Sequence, residues 1–449
     1  MANTKSMNML QGSLWDKIVL FSVPLALTGV LQQLFNAADI MVLGQFVGKN
    51  AIAAVGNNIS LIGILVNLFI GFSLGANVVI AQAIGARHQR NAKIAVHTSI
   101  VFAFLVGLAI TVIGEIAATP ILELMGVPDE VKDMAEKYLR VYLLGMPFMS
   151  LYNFAAAIFR SRGDTKMPLI ALTVASVMNL IMNMIFVVNY KWGLVGVVFA
   201  TVLANAISAW ILVFSLTRSL GFIYLRIKSL TIDGAILKEM VRIGLPAAIQ
   251  GMVFSFANLI IQGAINSLGA DVMAASAAAF TIEINVYCFL GAFGQAATTF
   301  VGQNYGANKL ERCKRATWVA IGLNAAVTSV LTAIVLIFGK ELLSMFQNDA
   351  KVIELGYIRL LYIVGPEIVC IFLDGLSGAL RGYGISLPPA LLALIGVCGV
   401  RITWVYTVFA ETPTYEVLMA TYPVSWFATA IFIAIAYKYY ISRIKPWKA

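Results

Sequence analysis

The sequence predicts an all-α integral membrane protein, with twelve transmembrane helices in two homologous six-helix bundles around a central cavity. Three observations carry that expectation. First, the chain is 60% hydrophobic and only 12% charged, with a mean hydropathy of +0.89, whereas a soluble domain is about 25% charged. Second, its apolar stretches are long and continuous. They match the roughly 20 residues a helix needs to cross a bilayer, not the alternating pattern of a membrane β-barrel. Third, the second half of the chain repeats the first.

Taken in order, the apolar segments fall at about 15–43, 52–84, 94–118, 131–159, 167–190, 194–217, 235–268, 272–303, 313–338, 352–380, 387–410 and 417–441. The first continues from Ile18 to Leu43. That is too long for the apolar core of a cleaved signal, so it is expected to be a span. Alternate loops differ in charge. Of the 31 Lys and Arg, nine (Lys49, Lys132, Lys137, Arg140, Lys191, Lys340, Lys351, Arg359 and Arg401) fall on one side and the other 22, from Lys5 to Lys448, on the opposite side. The positive-inside rule then puts both termini in the cytoplasm, and the even span count agrees. Because the net charge of +10 sorts by side and forms no basic domain, nucleic acid is not an expected partner. The four cysteines, Cys288, Cys313, Cys370 and Cys398, form no CxxC and suggest neither disulfides nor a zinc site.

The repeat is legible in motifs. "AQAIGARHQRNAK" at 81–93 matches "GQNYGANKLERCK" at 302–314, so that Gln82, Gly85, Ala86 and Lys93 fall on Gln303, Gly306, Ala307 and Lys314. The same spacing carries Gly48, Ala53 and Ala54 onto Gly269, Ala274 and Ala275. Tyr138, Arg140 and Pro147 have counterparts in Tyr357, Arg359 and Pro366, and Pro24 has one in Pro246. The expected domains are an N-terminal lobe at 1–217, a cytoplasmic linker at 218–234 and a C-terminal lobe at 235–449. A parallel repeat of this kind is a transporter architecture, with its substrate cavity between the halves. Pro24 and Pro246 each remove a backbone donor inside a span, which makes them candidate bending points.

Polar residues inside the spans point to the chemistry. At 1.5 Å per residue, Asp39 lies about 7 Å below the outer end of span 1. Asn179 and Asn183, four apart and so on one helix face, lie in span 5. Asn183 and Thr201 of span 6 are each about 10 Å below the outer end. Three helices thus bring a carboxylate, two amides and a hydroxyl to similar depth. That is an all-oxygen set with one formal charge, suited to Na⁺ or a proton. An unpaired carboxylate there costs several kcal/mol or more, so it must spend its time protonated or paired with a cation. The second half carries Glu283, Glu367, Asp374 and Arg401 at membrane depth. Glu283, Glu367 and Arg401 are expected to form one interior ion network. Gln33, Asn153, Glu283 and Asp374 are candidates for the substrate cavity. The counterpart of Asp39 is Ile261, so the two halves differ in chemistry.

Several stretches, "ADIMVLGQFVG", "GANVVIAQAIGA", "FRSRGDTKMP", "GLVGVVFAT", "VGQNYGA" and "LRGYG", taken together and in order, resemble the multidrug and toxic compound extrusion (MATE) transporters over essentially the whole chain. The resemblance implies a cation-coupled antiporter, using Na⁺ or H⁺ and no other cofactor, that expels organic and often cationic compounds by alternating access. It also implies a coupling site at the positions of Asp39, Asn179, Asn183 and Thr201. Some members have Asp at the second span-5 position, where this chain has Asn183. Some bacterial members have a Glu near the middle of span 7, where this chain has Phe254 and Ser255. Glu283 and Asp374 are the candidates to substitute for that Glu.

The expected partners are small organic molecules and the lipid bilayer of the cytoplasmic membrane, and the expected state is a monomer. The rival within transport is a flippase for lipid-linked sugars, from a superfamily that shares the duplicated architecture. It needs a strongly basic cavity, and the interior charges here are mostly acidic. An enzyme is not expected: the sequence contains no HExxH, GxSxG or Walker A motif.

Overall fold

The computed structural model describes residues 7–125, 127–219, 221–346 and 348–447. Lys5 and Lys448, which entered the charge count above, lie outside the described residues. The helices are α1 (Trp15–Phe46), α2 (Lys49–Gly85), α3 (Gln89–Leu124), α4 (Asp129–Leu144), α5 (Met146–Ser161), α6 (Lys166–Asn183), α7 (Gly193–Arg218), α8 (Gly234–Ser267), α9 (Ala270–Gly306), α10 (Leu310–Ile337), α11 (Gly339–Ser344), α12 (Ala350–Ile363), α13 (Ile368–Gly382), α14 (Leu387–Ala393), α15 (Val400–Tyr406), α16 (Val408–Glu411) and α17 (Tyr415–Ile441). Among the described residues, ten helical stretches are long and apolar enough to cross a membrane. Two bent pairs, each counted as one broken span, bring the number up to twelve: Glu130–Leu144 with Met146–Ser161, bent by 47°, and Ala350–Ile363 with Ile368–Gly382, bent by 45°.

Those two pairs are repeat-related, and proline explains where they break. Pro147 occupies the first turn of α5, where a missing N–H costs nothing. Its counterpart Pro366 lies between α12 and α13. Pro24 and Pro246, in contrast, lie inside unbroken helices α1 and α8.

Local signals set the helix ends. The Asp164 carboxylate accepts from the backbone N–H of Lys166 and Met167, and Asp233 does the same for Ala235 and Ile236. These are N-terminal caps that satisfy otherwise orphaned donors. The repeated Gly-Ala motif is a helix stop. After Gly85-Ala86 the chain turns through Arg87 at φ 58°, and after Gly306-Ala307 through Asn308 at φ 56°. Gly48 and Gly269, at φ 114° and 101°, begin α2 and α9 with a backbone that residues carrying a Cβ rarely adopt.

The chain divides into two compact units, one of Val30–Ala248 and one of Met7–Gly29 together with the chain from Ile249 onward. The units do not follow the repeat boundary. Residues 15–29 of α1 pack with the second half of the chain, and residues 234–248 of α8 pack with the first. Phe21 meets Phe300 edge-on at 5.8 Å, inside a cluster with Ile18, Leu25, Phe293 and Ala316. In the first unit, α8 approaches α2 so closely that a Cβ on Gly71 or Gly75 would collide with the backbone of Ala248 or Met240. Helix switching between units therefore begins five residues after Pro24 and two after Pro246.

Candidate cation site and interior charges

In the first unit, α1, α6 and α7 bring together the four polar residues that depth alone had suggested. The Asn183 amide Nδ2 donates to Asp39 Oδ1 at 2.7 Å and also lies 3.0 Å from Asn179 Oδ1. The Thr201 hydroxyl donates to Asp39 Oδ2 at 2.7 Å, and Asn179 Nδ2 is 3.5 Å from Thr201 Oγ1. Asp39 is 9% exposed and Asn183 fully buried. Among the described residues Asp39 has no salt-bridge partner. Asn183 Oδ1 is buried and accepts no hydrogen bond. A carboxylate without a basic partner beside an unused amide oxygen makes this a candidate cation site. Its donors are all oxygens with one formal charge, which fits Na⁺ or a proton and leaves too little charge for a multivalent metal. Among the described residues no cluster of three or more His, Cys, Asp or Glu could hold one.

The local structure explains the placement. Asn179 and Asn183 stand one turn apart at the end of α6, and the next turn, Met184–Asn189, is a π-helix. Such wide turns are frequent at functional sites. Two residues were missed by sequence reasoning. Tyr138 and Tyr142 of α4 lie within electrostatic reach of Asp39, and their rings stack at 5.9 Å. The i, i+4 spacing of two tyrosines on the charged segment of span 4 was the available signal.

In the second unit the expected network of Glu283, Glu367 and Arg401 does not form. Glu283 instead receives both Nε and Nη2 of Arg359, at 3.0 and 2.6 Å. The two side chains are 9% and 5% exposed. Arg359 sits on α12 with its fork facing α9, where a bidentate pair gives the geometry a buried carboxylate needs. Assigning Arg359 to a loop side by span counting concealed it. Arg401 pairs with no carboxylate among the described residues. Its guanidinium bonds Asn258 Oδ1 at 3.1 Å and Ser425 Oγ at 3.3 Å, and lies 4.3 Å over the Tyr422 ring. Glu367 is 2% exposed and its Oε2 has no hydrogen-bond partner.

The cavity candidates divide between the units. Gln33 is half-buried on α1, and Asn153 is half-buried on α5 with its amide donated to its own helix at Met149. Glu283 is held by Arg359. Asp374 is half-buried near Arg381 and the Tyr287 hydroxyl.

Comparison with known proteins gives these sites a context. The family profile described as MatE matches the chain twice, over residues 24–185 and 246–407. The chain is similar to the Bacillus subtilis protein named as the probable multidrug resistance protein YoeA, 28% identical over 95% of this chain and 94% of that one. It is also similar to the probable multidrug resistance protein NorM of Thermotoga maritima, 27% identical over 86% and 84%. The fold matches the outward-facing structure of a multidrug resistance MATE family transporter of the MOP superfamily with a TM-score of 0.91, at 22% identity over 99% of both chains.

Proposed function

The chain belongs to the MatE family, and from that premise we propose that it is an antiporter that exports organic, often cationic, compounds by alternating access, driven by Na⁺ or H⁺ exchanged at Asp39. The observation that carries this reading is the Asp39 carboxylate, buried without a basic partner among the described residues next to an amide oxygen that accepts no hydrogen bond. The relatives' names as multidrug resistance proteins support the substrate class.

The site's chemistry follows from its hydrogen bonds. Both Asp39 oxygens accept in the arrangement seen, from Asn183 and from Thr201, which is the pattern of the ionised form. A half-turn of the Asn183 amide presents its unused Oδ1 in place of Nδ2. That orientation accepts the proton of a neutral Asp39 or ligates a bare cation, since an amide offers a donor on one side and an acceptor on the other. Loading the site therefore changes bonds among α1, α6 and α7 together. A ligand shifts a conformational equilibrium only by its differential affinity for the two states, and this rearrangement supplies the difference. A flippase for lipid-linked sugars is disfavoured by the acidic excess among the interior charges.

The protein acts as a monomer in the cytoplasmic membrane with both termini in the cytoplasm. Cysteines placed at Arg90 and Lys309 should then resist labelling from outside intact cells. The deciding experiment uses proteoliposomes with Na⁺ and H⁺ gradients imposed separately. One gradient should drive counterflow of a cationic dye, and Asp39→Asn, which keeps shape and removes charge, should abolish it at wild-type expression. Dye movement against its gradient by Asp39→Asn would locate coupling elsewhere.

A further inference from the structure

Arg401 is an interior cation with no carboxylate partner among the described residues, and its surroundings are built for it. It is 6% exposed. Four groups hold it: the Tyr422 ring at 4.3 Å and the Trp426 ring at 5.8 Å, the Asn258 oxygen and the Ser425 hydroxyl. Asn258 comes from α8, Arg401 from α15, and the other three from α17. These are the counterparts of α1, the span that begins with α6, and α7, the three elements that build the Asp39 site.

The register makes the correspondence closer. The two family-matched stretches begin at 24 and 246 and end at 185 and 407, so both ends are 222 residues apart. At that spacing Arg401 falls on Asn179, Asn258 on Asn36 and Ile261 on Asp39. In the turns just before these spans the spacing is 221, from Gly163 to Gly384, both at positive φ. The π turn at Leu394–Gly399, which takes one residue more than an α turn, supplies the difference just before Arg401. In the first half the π turn comes after Asn183, so the shift affects only the second half at this point.

We propose that Arg401 is a built-in cation. Its guanidinium fills, in the second unit, the place that the first unit leaves for an exchangeable cation, so the second unit takes no coupling ion there. This rests on the Asp39 reading for what the equivalent place does. The chemistry is consistent. A charge at membrane depth faces the protein interior and needs compensation. Aromatic faces supply it for a guanidinium, whose planar fork stacks and donates sideways at once. A hydrated Na⁺ could not use the rings, and Ile261 offers it no carboxylate. The duplicated site has thus become a fixed internal charge.

The test uses the full chain in detergent, read by thermal unfolding. Arg401→Ala should lower the melting temperature. Guanidinium chloride at millimolar concentration, far below the molar range in which it denatures, should restore at least half of the loss. Sodium chloride at equal ionic strength should restore none, and wild type should not respond to guanidinium. No restoration by guanidinium, or equal restoration by Na⁺, overturns the proposal. If Arg401→Ala cannot be isolated folded, Arg401→Gln decides: it keeps the planar hydrogen-bonding end and removes the charge. A wild-type melting temperature in that variant means the charge is not needed and overturns the proposal, whereas a lowered one supports it. None of these measurements involves a gradient or Asp39, so their failure leaves the coupling reading intact, and the failure of Asp39→Asn leaves the rescue result intact.

Discussion

Among the described residues, the first unit buries a carboxylate with no basic partner and the second buries a guanidinium with no carboxylate partner, in helices that answer one another along the repeat. Asp39 accepts from Asn183 and Thr201, and Arg401 donates to Asn258 and Ser425. A second pair of counterparts diverges in another way. Arg140 and Arg359 occupy matching places. Arg140 bridges Glu115 and Glu136 with its side chain 40% exposed, while Arg359 grips Glu283 at 5%. Duplication therefore preserved helix ends, glycine turns and proline breaks, which packing constrains. It left free the few interior positions where one substitution reverses the sign of the local charge.

The largest effect should come from the buried pair. Glu283→Gln leaves Arg359 charged and without its anion, at a cost of roughly 3–5 kcal/mol. Thermal unfolding in detergent should show a large drop. The double change Glu283→Leu with Arg359→Met, which removes both charges, should recover much of it. If the single variant melts like wild type, the pair reaches water and the contrast between the halves weakens.

Next comes stabilisation by the coupling ion. A ligand at about 100 times its dissociation constant stabilises the native state by about 2.7 kcal/mol. The ion that drives transport should therefore raise the wild-type melting temperature, and Asp39→Asn should lose that response. Asn183→Asp replaces the amide that lies 2.7 Å from the Asp39 carboxylate with a second carboxylate. It should melt lower without the cation and respond to it more strongly, because two like charges are relieved together. An undiminished ion response in Asp39→Asn would move the site out of the first unit.

The sequence carried much of this. The long apolar runs gave the all-helical membrane fold, with its ten to twelve candidate spans, and the Gly-Ala motifs and prolines gave the repeat. The depth of Asp39, Asn179, Asn183 and Thr201 brought those four residues to one level, because rise per residue is nearly constant in a helix. What it did not carry is lateral. Depth says nothing about which face a side chain takes, so Glu283 was given Arg401 as a partner when Arg359 was the one opposite. Tyr138 and Tyr142 were overlooked for the same reason. The exchange of α1 and α8 between units was also invisible, since an unbroken helix shows no mark in sequence where its neighbours change.

The smallest effect is the sharpest test of the comparison. Arg140 pairs with two carboxylates, Glu115 and Glu136, each at 2.9 Å, and bonds the Thr119 hydroxyl at 3.0 Å, whereas Arg359 pairs with one, Glu283. Counting contacts alone, Arg140→Ala should hurt at least as much as Arg359→Ala. Exposure argues otherwise. Around Arg140, α4 also carries Lys132 paired with Glu123 and Lys137 paired with Asp133, a run of charges that a lipid-facing segment could not bear. Water there screens the ion pairs and solvates whichever partner is left behind, so the expected loss is about 1 kcal/mol or less. Thermal unfolding of Arg140→Ala beside Arg359→Ala reads the difference directly. Equal losses would mean that the contacts and not the burial set the energy, and that the two halves are more alike than their side chains suggest.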